Sequence, residues 1–210
     1  MIKVKITAIT PQKRNKLFYN IHIDHEYFCS LDDETIYYMK LEEGLEVDTE
    51  LLMKASQESC YKKALNYALN MLAKSYKTKF ELTKKLKEKE YKDDTIKMVL
   101  ERLTELGYLN DEQYVETFIR SKQDTSQGLN KKTLYNKLVQ KGVDKELVLQ
   151  NLENSEIDEY KNAMQVAEKK LRSLKGSGRE KKTKLYTFLL YKGFDYDICS
   201  KVLNNIDISE

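Results

Sequence analysis

The side chains of this 210-residue chain with the most familiar chemical uses come close together in "HIDHE", where His22, Asp24, His25 and Glu26 are all metal-ligand types. Along a strand His22 and Asp24 share the polar face while His25 falls at the turn, and no third ligand follows at a recognised zinc spacing. The pattern therefore predicts a solvated hairpin, not a metal centre. Cys29, Cys60 and Cys199 are far apart, form no CxxC pair and are odd in number, which argues against zinc, redox chemistry and a disulfide framework and fits a reducing cytosol. Cys60 and Cys199 sit in apolar patterns that predict core thiols. "KGSGREKK" resembles a phosphate loop, but it follows a helix rather than a strand and lacks the GxxxxGK[ST] spacing. Neither GxSxG, HExxH nor a dinucleotide fingerprint occurs. The reading is of a non-enzyme with no catalytic residue, metal or cofactor.

What remains is cationic. Lys84, Lys85, Lys131, Lys132, Lys137, Arg179, Lys181, Lys182 and Lys184 lie at the start of, or on, helices read below as equivalent, interleaved with Tyr135, Tyr186 and Tyr191. Lysine is the default residue of a solvated helical face, yet tyrosines beside cations suit nucleic acid and protein interfaces alike. Net charge is only +3, but residues 1–50 hold six basic and ten acidic side chains, and the remainder 31 basic against 24 acidic. The excess gathers in residues 61–92 and 160–184, so a polyanion or an acidic protein groove is the expected partner of the later part.

The elements that must position these groups change along the chain. The first thirty residues alternate at period two, through Ile2, Val4, Ile6 and Ala8, then Tyr19, Ile21 and Ile23, then Tyr27, Cys29 and Leu31. "TPQKRNK" and "DHE" supply turns, which predicts a β-hairpin or three-stranded sheet. Asp32 or Asp33 is expected to cap a short helix through Ile36 and Met39, and Asp48 another with Leu51, Leu52 and Ala55 on its inner face. Residues 1–58 thus read as a small, acidic α/β module. Charged residues at 34%, one proline and seven glycines favour helices for the rest. Lys3 and Lys5 interrupt the apolar start, and no apolar run approaches membrane-spanning length. A cytoplasmic protein with no membrane partner is expected.

Self-comparison exposes a repeat. "LTKKLKEKEYKDDTIKMVL" from Leu82, "LYNKLVQKGVDKELVLQNL" from Leu134 and "LYTFLLYKGFDYDICSKVL" from Leu185 align without a gap at offsets of 52 and 51. Leu82/Leu134/Leu185, Leu86/Leu138/Leu189, Lys89/Lys141/Lys192, Tyr91/Val143/Phe194 and Ile96/Val148/Cys199 fall into register. An amphipathic stretch precedes each copy: Ala64 to Leu72, Tyr114 to Ile119, Ala163 to Leu171. Gly142 and Gly193 stand where a helix ends in a left-handed residue. Val143 and Phe194 then precede the caps Asp144 and Asp195 at the spacing of a hydrophobic staple to Val148 and Cys199. Lys141 beside that glycine is expected at the surface. Glu90 replaces glycine in the first copy, which predicts a looser turn, or a cap at Asp93 instead. Thr78 with Glu81, Asn110 with Gln113 and Ser177 with Glu180 have capping-box spacing. The architecture is mainly α, three tandem three-helix repeats over 59–110, 111–158 and 159–210 forming an elongated curved array after the module.

"GYLNDEQYVETFIRSK" from Gly107, then Gly128, "LVQKGV" and "LLYKGF", resembles the RecX family, bacterial regulators of the RecA recombinase, over roughly residues 60–205. The matching positions are Asp111, Tyr114, Phe118, Gly128, Leu138, Lys141, Gly142, Lys192, Gly193 and Phe194, and the amino-terminal module resembles an extension that some members carry. The resemblance implies a curved rod that lies in the groove of a RecA filament on DNA and suppresses ATP hydrolysis, strand exchange and coprotease activity by blocking or dismantling the filament. Its partners would be the RecA filament and DNA, met as a monomer. A DNA-binding helical protein acting without RecA is the alternative.

Overall fold

The alternation in residues 3–32 does build a sheet, but one of four strands rather than three. In a computed structural model, which describes residues 2–13, 16–123 and 130–208, β1 (Lys3–Pro11), β2 (Phe18–Ile23), β3 (Glu26–Asp32) and β4 (Glu46–Asp48) pair antiparallel in the order β3-β2-β1-β4. Three residues of β4 are too few to show a period. Asp24 and His25, at φ +51° and +66°, form the two-residue turn between Ile23 and Glu26, both in the left-handed region that a tight hairpin requires. Two bulges reset the alternation. Ile6 pairs with Ile23 and Ala8 with His22, leaving Thr7 over, and its hydroxyl accepts the His25 amide at 3.0 Å. Ile21 pairs with Cys29 and His22 with Tyr27, leaving Phe28 over. Ile9 therefore packs on the core and Tyr27 is 61% exposed, while Ile2, ahead of β1, lies outside at 71%.

Helix α1 (Asp33–Tyr38) is capped by Asp32, whose carboxylate accepts the Thr35 amide at 2.7 Å. Asp48 caps α2 (Thr49–Leu72), a single helix of 24 residues that runs through Ser59. Its first half covers the sheet with Leu52, fully buried with Ile6, Ile21 and Leu31, whereas Leu51 faces solvent. Its second half presents Ala64 and Ala68 to α3 (Lys79–Lys87) and α4 (Asp93–Glu105), burying Leu82, Leu86, Ile96, Val99 and Leu103. Small residues let the helices approach closely, and truncating one such leucine to alanine costs about 2–5 kcal/mol. Contacts divide the chain into a unit of residues 1–76 and 82–109, holding these two cores, and a second of residues 77–81 and 110–210.

In the second unit, α5 (Asp111–Gln123), α6 (Lys131–Gln140) and α7 (Lys145–Glu153) enclose Tyr114, Val115, Ile119, Leu134, Leu138, Val143 and Val148. Helices α8 (Glu159–Leu171), α9 (Gly178–Tyr191) and α10 (Tyr196–Asn205) enclose Ala163, Ala167, Leu185, Leu189, Phe194 and Cys199. The leucine register is a packing register: Leu82, Leu134 and Leu185, with Leu86, Leu138 and Leu189, are at most 1% exposed. Gly128 and most of the "DTSQGLN" loop lie outside the described residues.

The joint after each second helix is the same in all three copies. Gly142 and Gly193 take φ +76° and +90°, and Glu90 takes +61°. Their amides donate to Val139, Leu190 and Lys87, and the following amides of Val143, Phe194 and Tyr91 reach back to Leu138, Leu189 and Leu86. This double bond pair is the Schellman turn. Glu90 thus keeps the turn its glycine counterparts make, against the looser joint expected, because two hydrogen bonds and burial of the next side chain hold it. Asp93 does not cap α4; it pairs with Lys87 at 2.9 Å, and Lys92 occupies the cap without a side-chain bond. Asp144 accepts the Glu146 and Leu147 amides, while Asp195 stands at its cap without bonding it.

Candidate partner-binding surface

The predicted cations fall into unlike environments. Lys84 is exposed at the end of α3, and Lys85 beside it pairs with Glu88 at 2.6 Å. On α6, Lys132 and Lys137 are exposed, Lys131 is half-buried, and Tyr135 packs against the core of its repeat. Arg179 and Lys182 project from the first turns of α9, but Lys184 turns back to donate to the Lys175 carbonyl at 3.1 Å. Lys181 is half-buried and lines a cleft of about 520 Å³ with Met164, Glu168 and Asp207. Tyr186 leans on Tyr196, ring centroids 6.4 Å apart, and Tyr191 is 87% exposed. Arg179, Lys182 and Tyr191 therefore stand in solvent, while Lys181 and Lys184 also serve the fold.

Within the second unit, which includes residues 77–81 at the start of α3, helix caps hydrogen-bond to distant carbonyls. Thr78, the cap of α3, donates its hydroxyl to the Lys141 carbonyl at 2.6 Å, and Asn130, the cap of α6, donates its amide to the Lys192 carbonyl at 2.7 Å. The next residue repeats the device, the Lys79 amide donating to Asp111 at 2.9 Å and the Lys131 amide to Glu159 at 2.8 Å, each acid opening the next repeat's first helix. Thr78 and Asn130 are fully buried, so these bonds satisfy polar groups that water cannot reach. Lys141 is half-buried rather than solvated: its ammonium meets Glu81 at 2.7 Å and lies 5.7 Å from the Tyr114 ring centroid. Burial works against both charges, but the bonds from Lys141 and the Thr78 amide hold the Glu81 carboxyl below its usual range, and the bond to Glu81 raises Lys141. A Cβ on Gly142 would collide with Phe80.

The last repeat departs from this rule. The position four residues before Leu82 and Leu134 is a cap, but before Leu185 it is Lys181, inside a helix. Helix α9 begins one turn earlier, at Ser177, closed by a full capping box with Glu180, and runs 14 residues against 10 in α6. The added turn brings Arg179 into a helix. Self-comparison of the sequence holds Thr78 and Asn130 at equal offsets from their leucines; the distant carbonyls they reach are not legible there.

Other chemistry is quiet. The Cys29 thiol is pushed up to about 11 and Cys199 is raised, both by burial, so neither is ionised near neutrality. Cys60 is only partly buried. His22 rests edge-on against Tyr27, and His25 is in the turn. Among the described residues no three His, Cys, Asp or Glu side chains gather to hold a metal, and no helix is long and apolar enough to cross a membrane.

A sheet module and three-helix units repeating at near-constant offset, each second helix closed by the same turn, define a tandem three-helix-repeat protein. Domain families described as "Regulatory protein RecX N-terminal domain", "RecX, first three-helix domain" and "RecX, third three-helix domain" match residues 4–48, 64–103 and 156–203. "Regulatory protein RecX" of Clostridium perfringens (strain 13 / Type A) is 38% identical over 98% of both chains, and that of Clostridium tetani (strain Massachusetts / E88) is 34% identical over 98% of this chain and 96% of its own. The chain belongs to the RecX family of regulatory proteins. A crystal structure of RecX from Lactobacillus salivarius is similar at TM-score 0.64 and 29% identity, over 71% of this chain and 98% of that one. A second, "Crystal structure of regulatory protein RecX", covers 96% and 100% at TM-score 0.68 and 22% identity, and shows the shared fold.

Proposed function

We propose that this chain is a non-enzymatic cytoplasmic regulator that binds the RecA filament on DNA and suppresses its recombinase, ATPase and coprotease activities by blocking or destabilising it. Membership of the RecX family along nearly the whole chain carries the reading. The repeats support it physically, because a helical filament presents one subunit surface many times and linked modules meet it at high effective concentration. The cations named above, Lys84 and Lys85 on α3, Lys131, Lys132 and Lys137 with Tyr135 on α6, and Arg179, Lys181, Lys182 and Lys184 on α9, are the proposed contacts. Added to filaments preformed on single-stranded DNA, the protein should slow ATP hydrolysis and shorten them; no change in either at saturation defeats the proposal. The exposed Arg179 and Lys182 favour a second reading, DNA binding without RecA, which predicts tight, steeply salt-dependent affinity for DNA alone.

A further inference from the structure

The acidic module carries a cleft that the regulatory reading leaves unused. It measures about 610 Å³, with Tyr19, Ile36, Tyr37, Tyr38 and Leu41 along its walls. Tyr37 and Tyr38 are each 80% exposed, their rings edge to face with centroids 6.0 Å apart. Exposed neighbouring tyrosines contribute little to a core, whereas at interfaces tyrosine is among the side chains that carry most of the binding energy. The cleft is preformed: the Leu41 amide donates to the Ile36 carbonyl at 3.0 Å and the Lys40 amide to Tyr37 at 3.1 Å, and Lys40 is held at φ +51°.

Its electrostatics select the occupant. Asp33 and Glu42 border the cleft, with Lys40 the cation beside them. Elsewhere in the module Lys3 and Lys5 stand directly across the β1–β4 ladder from Asp48 and Glu46, where opposite charges offset one another. The first fifty residues hold ten acids against six bases, so phosphates are repelled here and cations attracted. We propose that this cleft docks a short cationic segment of a partner protein, an arginine- or lysine-bearing peptide with an apolar anchor. The anchor enters against Ile36 and Leu41 while the cations lie over the tyrosine rings and pair with Asp33 and Glu42. This inference does not rest on the RecA reading.

The test maps amide chemical shifts of the full chain titrated with a short peptide alternating arginine and leucine, with a glutamate–leucine peptide and a single-stranded oligonucleotide in parallel. The cationic peptide should move the amides of residues 33–42, and the other two should not. In Tyr37→Ala/Tyr38→Ala and in Glu42→Lys, affinity by fluorescence anisotropy should fall about tenfold. Shifts confined to other residues, shifts here with the oligonucleotide instead, or unchanged affinity in both variants would each overturn it; the wild-type map is independent of how the variants fold.

Discussion

Glycine at a helix end does one of two jobs, and this chain separates them. Gly107 takes φ +73° in open space, whereas Gly142 takes φ +76° with Phe80 where a side chain would go. Gly107→Ala should cost only the left-handed penalty, about 1 kcal/mol, and Gly142→Ala that penalty plus a collision, about 3 kcal/mol in all. Urea unfolding of the two variants checks the order, and equal losses would contradict the close packing at Gly142. Glu90→Gly runs the other way. Relief of the left-handed strain exceeds the added freedom of the unfolded chain, for a net gain of about 0.5 kcal/mol. The Glu81–Lys141 pair gives this scale its pH dependence. Glu81 is held below its ordinary 4.5, so its contribution is complete above that value and fades as pH falls through the lowered one. Lys141 is raised above 10.5, so its contribution is complete below that value and is lost as pH rises through the raised one. With the Lys141 and Glu81 side chains 34% and 26% exposed, solvent limits the pair to about 1 kcal/mol or less. Glu81→Gln should flatten the acid limb of stability against pH; an unchanged limb would show that the pair does not couple to folding.

At the scale of elements, the second helices are held by their caps. Asn130 accepts the Thr133 amide at 2.6 Å and donates to the Lys192 carbonyl at 2.7 Å while fully buried. Asn130→Ala removes a cap and takes the partner from the half-buried Thr133 amide and the Lys192 carbonyl, so it should cost about 2 kcal/mol, against about 1 kcal/mol for a cap that serves its own helix alone. Asp144→Ala supplies that comparison, because among the described residues its carboxylate bonds the Glu146 and Leu147 amides of its own helix; equal losses would mean that the bond to Lys192 adds nothing. The contrast also marks what the sequence can reveal. Leucine spacing, the glycine turns and the Val143–Val148 staple act over a few residues, and the aligned copies display them directly. Lys141 reads as a surface lysine because Glu81 and Tyr114, which partly bury it, are 60 and 27 positions away. The bulges at Thr7 and Phe28 are hidden for the same reason, since an unpaired residue is defined by its partner strand. Of the predicted contact cations, the sequence displays the residues but not which of them the fold already employs.

For the whole molecule, that last distinction decides how a charge test should be built. Reversing Lys181, Lys182 and Lys184 together confounds partner contact with folding, because Lys184 holds the Lys175 carbonyl and Lys181 has intramolecular interactions of its own. Arg179→Glu/Lys182→Glu avoids this, since both side chains are exposed, Arg179 on the turn added to α9 and Lys182 just after it. Helicity and unfolding midpoint should stay near wild type, because exposed substitutions of this kind move stability by about 0.5 kcal/mol or less. If the pair neutralises phosphates, the slope of log affinity for single-stranded DNA against log salt should shrink by about 1.4, roughly 0.7 for each phosphate left without its cation. Suppression of ATP hydrolysis by RecA filaments should weaken in parallel if binding to DNA is how the chain holds the filament. A reduced salt slope with full suppression would instead assign the α9 cations to DNA and leave the filament to other faces of the repeats. Full suppression with an unchanged slope would return Arg179 and Lys182 to the ordinary solvated face of a helix.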